Sequence, residues 1–137
     1  MFARKALTVL VLAGSVLGIP TVSLAATAAT SPSCELRERH VVSVEPYRPE
    51  EHVGRATFPV LRGARLYVQA EPGLTAEWLR HSLARHIAAQ QSSDCALDVD
   101  GLKVDVQSAG PGFWVTLSAP ESKTGEEILR RARRLVG

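Results

Sequence analysis

From residue 64 onward the chain carries clean alternations interrupted by helical periods. Leu66, Val68 and Ala70 alternate with Arg65, Tyr67 and Gln69, which predicts a half-buried strand over 64–70. Pro72-Gly73 turns the chain, Thr75 is placed to cap a helix, and Glu77 suits the positive end of its dipole. The helix expected from Ala76 to about Gln90 sets Leu79, Leu83 and Ile87 on one stripe with Ala76 between them. Trp78 falls off that stripe and reads either as a second contact or as the edge of a broad core. Leu97 and Val99 resume extended structure. Leu102, Val104 and Val106 then alternate with Lys103, Asp105 and Gln107, and Phe113, Val115 and Leu117 alternate with Trp114, Thr116 and Ser118. The Gly110-Pro111-Gly112 cluster between these two runs is a hairpin signal. Last, Thr124-Gly125-Glu126-Glu127 has capping-box spacing and opens a helix with Ile128, Ala132, Leu135 and Val136 as its stripe.

The order is strand, helix, strand, strand, helix. Strands that are apolar on one face need a cover, and two amphipathic helices supply it. The expected fold is therefore an α+β two-layer sandwich of β-α-β-β-α order, with both helices on one face of a small antiparallel or mixed sheet. Upstream, Val41-Val42-Ser43-Val44 reads either as one more strand in front or as a segment lying along the domain. Residues 45–63 hold Pro46, Pro49, Pro59, Gly54 and Gly63 among mixed charges, which predicts an irregular connection. Its bulky apolar residues, Tyr47, Phe58, Val60 and Leu61, are expected to dock locally. The compact domain is thus expected over 64–137, preceded by an irregular segment over 26–63 whose first residues, 26–33, are small and polar enough to stay disordered.

The first 25 residues have another character. Arg4 and Lys5 precede an apolar run from Ala6 to Ile19, Pro20 ends any helix, and Val22-Ser23-Leu24-Ala25 places small residues for cleavage after Ala25. Cleavage after Ala28 is the second choice. Residues 1–25 therefore read as a cleaved secretory signal peptide, so the chain is expected to be exported to the periplasm or outside the cell. A retained membrane anchor is disfavoured, because the apolar run falls short of the roughly 20 residues needed to span a bilayer. Lipidation at Cys34 is disfavoured by its distance from the apolar run and by the Ser31-Pro32-Ser33 that precedes it.

Export changes the charge picture. The chain carries 16 Lys and Arg against 14 Asp and Glu, a net +2, and Arg4 and Lys5 are the whole surplus. The mature chain is neutral, which removes the electrostatic case for a nucleic-acid partner. It also places Cys34 and Cys95 in an oxidising compartment without C-x-x-C spacing, so a structural disulfide is expected between them.

No catalytic or cofactor motif is present, and no cofactor or metal-ligand set is assigned. His81 and His86 share a helix but lie five residues apart, about 140° around its axis, too far round for one ion. His40 and His52 sit in the irregular region. Ser82 and His86 are spaced to touch, but a hydroxyl on a regular helix lacks the orienting third group and oxyanion site of a hydrolase. Arg130, Arg131, Arg133 and Arg134 read as the solvated face of a terminal helix, with no interleaved aromatic residue to stack on bases.

Strand parity exposes a different surface. If the helices cover Leu66, Val68, Leu102, Val104, Val106, Phe113, Val115 and Leu117, the other sheet face shows Tyr67, Trp114, Arg65 and Lys103, with Asp105, Gln69, Gln107 and Thr116. Stiff aromatics among charges suit an interface, with a protein partner or a second copy of the chain. The competing expectation is that residues 35–61 fold over this face and bury the rings. The leading functional expectation is an exported, non-enzymatic binding or accessory domain using this face. The alternative is an extracytoplasmic metal-binding protein using His40, His52 or His86 with a carboxylate, and a small hydrolase comes third.

Overall fold

The computed structural model describes residues 33–89 and 94–137. The segment expected to be an export signal, both expected cleavage positions, most of the small polar stretch after them and Gln90 lie outside the described residues.

Four strands, β1 (Val41–Tyr47), β4 (Gly63–Gln69), β5 (Lys103–Ala109) and β6 (Gly112–Ser118), form an antiparallel sheet in the order β1-β4-β6-β5. Between β1 and β4 the chain makes a separate two-stranded hairpin from β2 (Glu50–Val53) and β3 (Ala56–Pro59). Helix α1 (Ala76–Ala89) joins β4 to β5, and α2 (Ser122–Arg133) follows β6. Strands β4 and β5 run parallel to each other with β6 inserted between them, because each is antiparallel to β6. The α+β sandwich expected from the alternation is what the chain forms.

One face of the sheet is apolar and buried. Leu66, Val68, Val106, Val115 and Leu117 pack against Leu79 and Leu83 of α1 and Ile128, Leu129 and Ala132 of α2 in a single core. Helix α1 lies over β5, and α2 over β4 and β1. The α1 cap forms as expected, with the Trp78 N–H donating to Thr75 Oγ1 at 3.1 Å. Trp78 is 46 % exposed and carries the Arg39 guanidinium 5.0 Å above its ring, so it marks a small surface contact and not the core edge.

Upstream of residue 64 the structure is more regular than the Pro and Gly content suggests. Val41–Tyr47 is the edge strand of the main sheet, with a bulge between Val41 and Ser43 that displaces Val42 from the alternation. Residues 50–59, expected as irregular, pair as β2 and β3. Proline is tolerated there because both are edge strands. Phe58 is 54 % exposed, so it does not dock, whereas Leu61 does pack against the core. Arg62 ties the hairpin to the sheet: its guanidinium donates to Glu51, at 2.6 Å for one contact, and to the Pro120 carbonyl. The Glu51 carboxyl is held below its ordinary range by these Arg62 hydrogen bonds.

Three further expectations are corrected. Residues 94–101 are turns, and extended structure resumes only at Lys103. Helix α2 starts at Ser122 with Glu121 at its N-cap and no side-chain cap, so Thr124 opens no capping box. The helix also ends at Arg133, leaving Val136 beyond it and exposed.

The Cys34–Cys95 disulfide is formed, with Cα atoms 5.3 Å apart across 61 residues of sequence. It joins the start of a one-turn 3-10 helix (Glu35–Arg37), whose Leu36 is fully buried, to the loop that leads into β5. A disulfide, and no helix among the described residues long and apolar enough to cross a membrane, are compatible with an exported protein.

Candidate functional site

The face of the sheet away from the helices is built in rows, because residues directly opposite one another in antiparallel strands share a face. The central row is Ser43–Tyr67–Trp114–Gln107, flanked by Glu45–Arg65–Thr116–Asp105 and then by Tyr47–Gly63–Ser118–Lys103. The Tyr67 and Trp114 rings meet edge to face, with centroids 5.0 Å apart and planes at 63°. The Arg65 guanidinium lies 4.5 Å over the Trp114 ring. Tyr67, Trp114 and Arg65 therefore form one cluster. Lys103 shares the face but stands on the edge strand, one row beyond Asp105.

Local structure fixes the aromatic pair. The Tyr67 ring lies over the backbone of Gly112, where a Cβ would come within 2.8 Å of both its Cζ and its hydroxyl oxygen. Its hydroxyl donates to the Ala109 carbonyl at 3.0 Å. Glycine at the start of β6 thus makes the seat for the ring. Both aromatics are half-buried by their neighbours on the sheet and remain open on the outward side.

Of residues 35–61, those of β1 do not fold over this face. Strand β1 extends it instead, adding Ser43, Glu45 and Tyr47 in register with β4. Sequence reasoning missed these three. The signal was the alternation of Val44 with Ser43 and Glu45, masked by the bulge at Val42 and by Pro46.

The other candidates fare differently. His40, just before β1, and His52, in β2, are exposed, His81 is exposed on α1, and only His86 is enclosed, with its side chain 7 % exposed. Ser82 is buried beside it, so it presents no accessible nucleophile. The arginine run divides. Arg133 and Arg134 are exposed, whereas Arg131 donates to Glu127 at 2.6 Å and to the backbone carbonyls of Cys95 and Asp98 at 3.1 and 3.3 Å. It clamps the disulfide loop to α2. Arg130 also donates to Glu127, at 2.9 and 2.6 Å.

Hydrogen bonds from Arg130 and Arg131 pull the Glu127 carboxyl down from its ordinary 4.5 to about 2. A carboxylate whose pKa is lower in the folded chain stabilises the fold above its unfolded value, and that contribution is lost as pH falls from about 4.5 to about 2. Glu127→Gln is therefore expected to show a smaller loss of stability between pH 6 and pH 3 than the parent, a range set by the usual carboxylate values of about 4. Urea midpoints at both pH values measure it, and equal losses would contradict the assignment. A hollow of about 590 Å³ beside this cluster is lined by both signs, including Lys123, Glu126, Glu127, Arg130 and Arg131. The pairing of Glu127 with both arginines consumes much of that charge, leaving the sheet face as the better candidate.

No protein-family model, no curated protein and no solved structure matches this chain.

Proposed function

We propose that the chain is an exported, non-enzymatic binding module that engages a protein partner through the open sheet face. The observation that carries this reading is the Tyr67–Trp114–Arg65 cluster, set in the middle of the four-stranded face opposite the helices. Aromatic and arginine side chains dominate interface energetics, because they bury much area at small entropic cost. The cluster is already ordered by Gly112 and by the Ala109 carbonyl, so binding sacrifices little side-chain freedom. Around it, Arg65 and Lys103 alternate with Glu45 and Asp105, a pattern that suits a partner with both charges and disfavours a polyanion.

The test compares the oxidised wild-type protein with Trp114→Ala and Tyr67→Ala as bait in the exported compartment, and uses sedimentation velocity to detect self-association. Trp114→Ala is expected to weaken association at least about tenfold while leaving far-UV dichroism unchanged. Undiminished association by a folded Trp114→Ala protein would sink the proposal.

A further inference from the structure

Three segments meet at the C-terminal end of α1: the start of the 3-10 helix at Cys34, the last turn of α1 at His86, and the loop from Cys95 to Asp98. His86 and Asp98 are each only 7 % exposed, and His86 Nε2 lies 3.8 Å from Asp98 Oδ1. His86 Nε2 is buried with no hydrogen-bond partner. A ligand atom from each of His86, Cys95 and Asp98 lies within 4.8 Å of the other two, and the Cys34 sulfur is bonded to that of Cys95. Two sulfurs, an imidazole nitrogen and a carboxylate oxygen thus converge in one buried place.

We propose that the Cys34–Cys95 bridge is a redox latch on a zinc site formed by Cys34, Cys95, His86 and Asp98. With the bridge closed, the two sulfurs satisfy each other and are poor ligands. A dithiol reductant supplies two electrons and two protons, the sulfur–sulfur bond breaks, and the reductant leaves as its own disulfide. Zn²⁺ then displaces the two thiol protons, and the thiolates, His86 Nε2 and the Asp98 carboxylate complete four-coordination.

The chemistry of the donor set selects the metal. Two thiolates, one imidazole and one carboxylate suit zinc, whereas calcium and magnesium require oxygen ligands. Tetrahedral zinc holds its ligand atoms roughly 3.3–3.8 Å apart, so the separations of at most 4.8 Å among His86, Cys95 and Asp98 need to contract by only about 1 Å, while the two sulfurs, once reduced, move apart from bonding distance. Arg131 already holds the loop through the carbonyls of Cys95 and Asp98, and its positive charge offsets the single negative charge of a zinc bound by two thiolates and a carboxylate. A pocket of about 200 Å³, lined by Glu35, Ser82, Arg85, His86 and Ala89, borders the site on the His86 side. The site is independent of the sheet face.

The experiment titrates Co²⁺ and then Zn²⁺ into the oxidised protein and into protein reduced with a phosphine, for wild type and His86→Ala. The reduced wild type is expected to bind one Co²⁺, with thiolate charge-transfer absorption in the near ultraviolet and the strong visible bands of four-coordinate cobalt, all displaced by zinc. The oxidised protein shows neither band, and reduced His86→Ala binds zinc at least about tenfold more weakly. Far-UV dichroism is recorded throughout. If reduction unfolds the chain, zinc must restore the oxidised spectrum in the wild type and fail to do so in His86→Ala. Equal zinc affinity of the two reduced proteins, no cobalt spectrum in the reduced wild type, or failure of zinc to refold it would each overturn the proposal.

Discussion

Removing the disulfide from the metal-free protein, by reduction in the presence of a chelator or as Cys34→Ala with Cys95→Ala, is expected to cost about 4 kcal/mol of stability. The bridge closes a loop of 61 residues, and on the chain-entropy model that loop contributes freedom to the unfolded state once it is opened. A small domain has only about 5–15 kcal/mol to lose. The thermal midpoint should fall by roughly 15 °C or more. The location adds to the loss, because Leu36, Ala96 and Leu97 beside the bridge are all buried in the core. Guanidinium unfolding of the oxidised and double-alanine proteins measures the difference. A change below about 1 kcal/mol would show that core packing alone holds the N-terminal segment in place.

Gly125→Ala is expected to destabilise the protein by about 1–3 kcal/mol, although alanine is the better helix former by about 1 kcal/mol. Gly125 is buried in the first half of α2, and an added Cβ would lie 2.6 Å from the Arg62 carbonyl carbon and 2.9 Å from both Arg62 Cα and Gly63 N. These are backbone atoms at the start of β4, so no flexible side chain can move aside. The same spot holds Arg62, whose carbonyl accepts the Ala119 N–H at 2.8 Å. Pushing α2 outward therefore disturbs both the helix–sheet contact and the base of the β2–β3 hairpin. Urea denaturation decides the sign. A stabilised Gly125→Ala protein would mean that propensity outweighs contact and that α2 does not approach β4 so closely.

Gly125 also shows how far a linear pattern reaches. In sequence it lies inside Thr124-Gly125-Glu126-Glu127 and resembles cap material. In the structure it is the point where a helix backbone meets a strand backbone. Local spacing carries no information about which surface a glycine will face. Trp78 makes a similar point: its displacement from the apolar stripe was visible, but the Arg39 that covers it comes from a segment 39 residues away in sequence. The arginine run near the C-terminus divides between solvent and structure for the same reason, because the loop that Arg131 clamps is brought to it by the disulfide and the fold.

The candidate sheet face was legible in part. Alternation is a property of each strand alone, so Tyr67, Arg65, Lys103 and Trp114 could be assigned to one face before any pairing was known. Register decided that Tyr67 stands beside Trp114, that Arg65 reaches over its ring and that Lys103 lies apart on an edge. It also decided that β1 contributes Ser43, Glu45 and Tyr47 instead of a cover. The bulge and Pro46 hid that strand from a period-two reading, since one inserted residue reverses the face of all that precede it.

The sequence by itself determined the two-layer α+β class, the Thr75 cap, the side of each core strand that is apolar and the pair of cysteines that join. These follow from nearest-neighbour chemistry and from periods of 2 and 3.6 residues, which a chain displays before it folds. Tertiary structure alone decided the strand order β1-β4-β6-β5, the pairing of residues 50–59, the close approach at Gly125 and the meeting of His86 with Asp98 beside the disulfide. Those depend on contacts between residues distant in sequence, whose strength comes from packing and register and leaves no local trace.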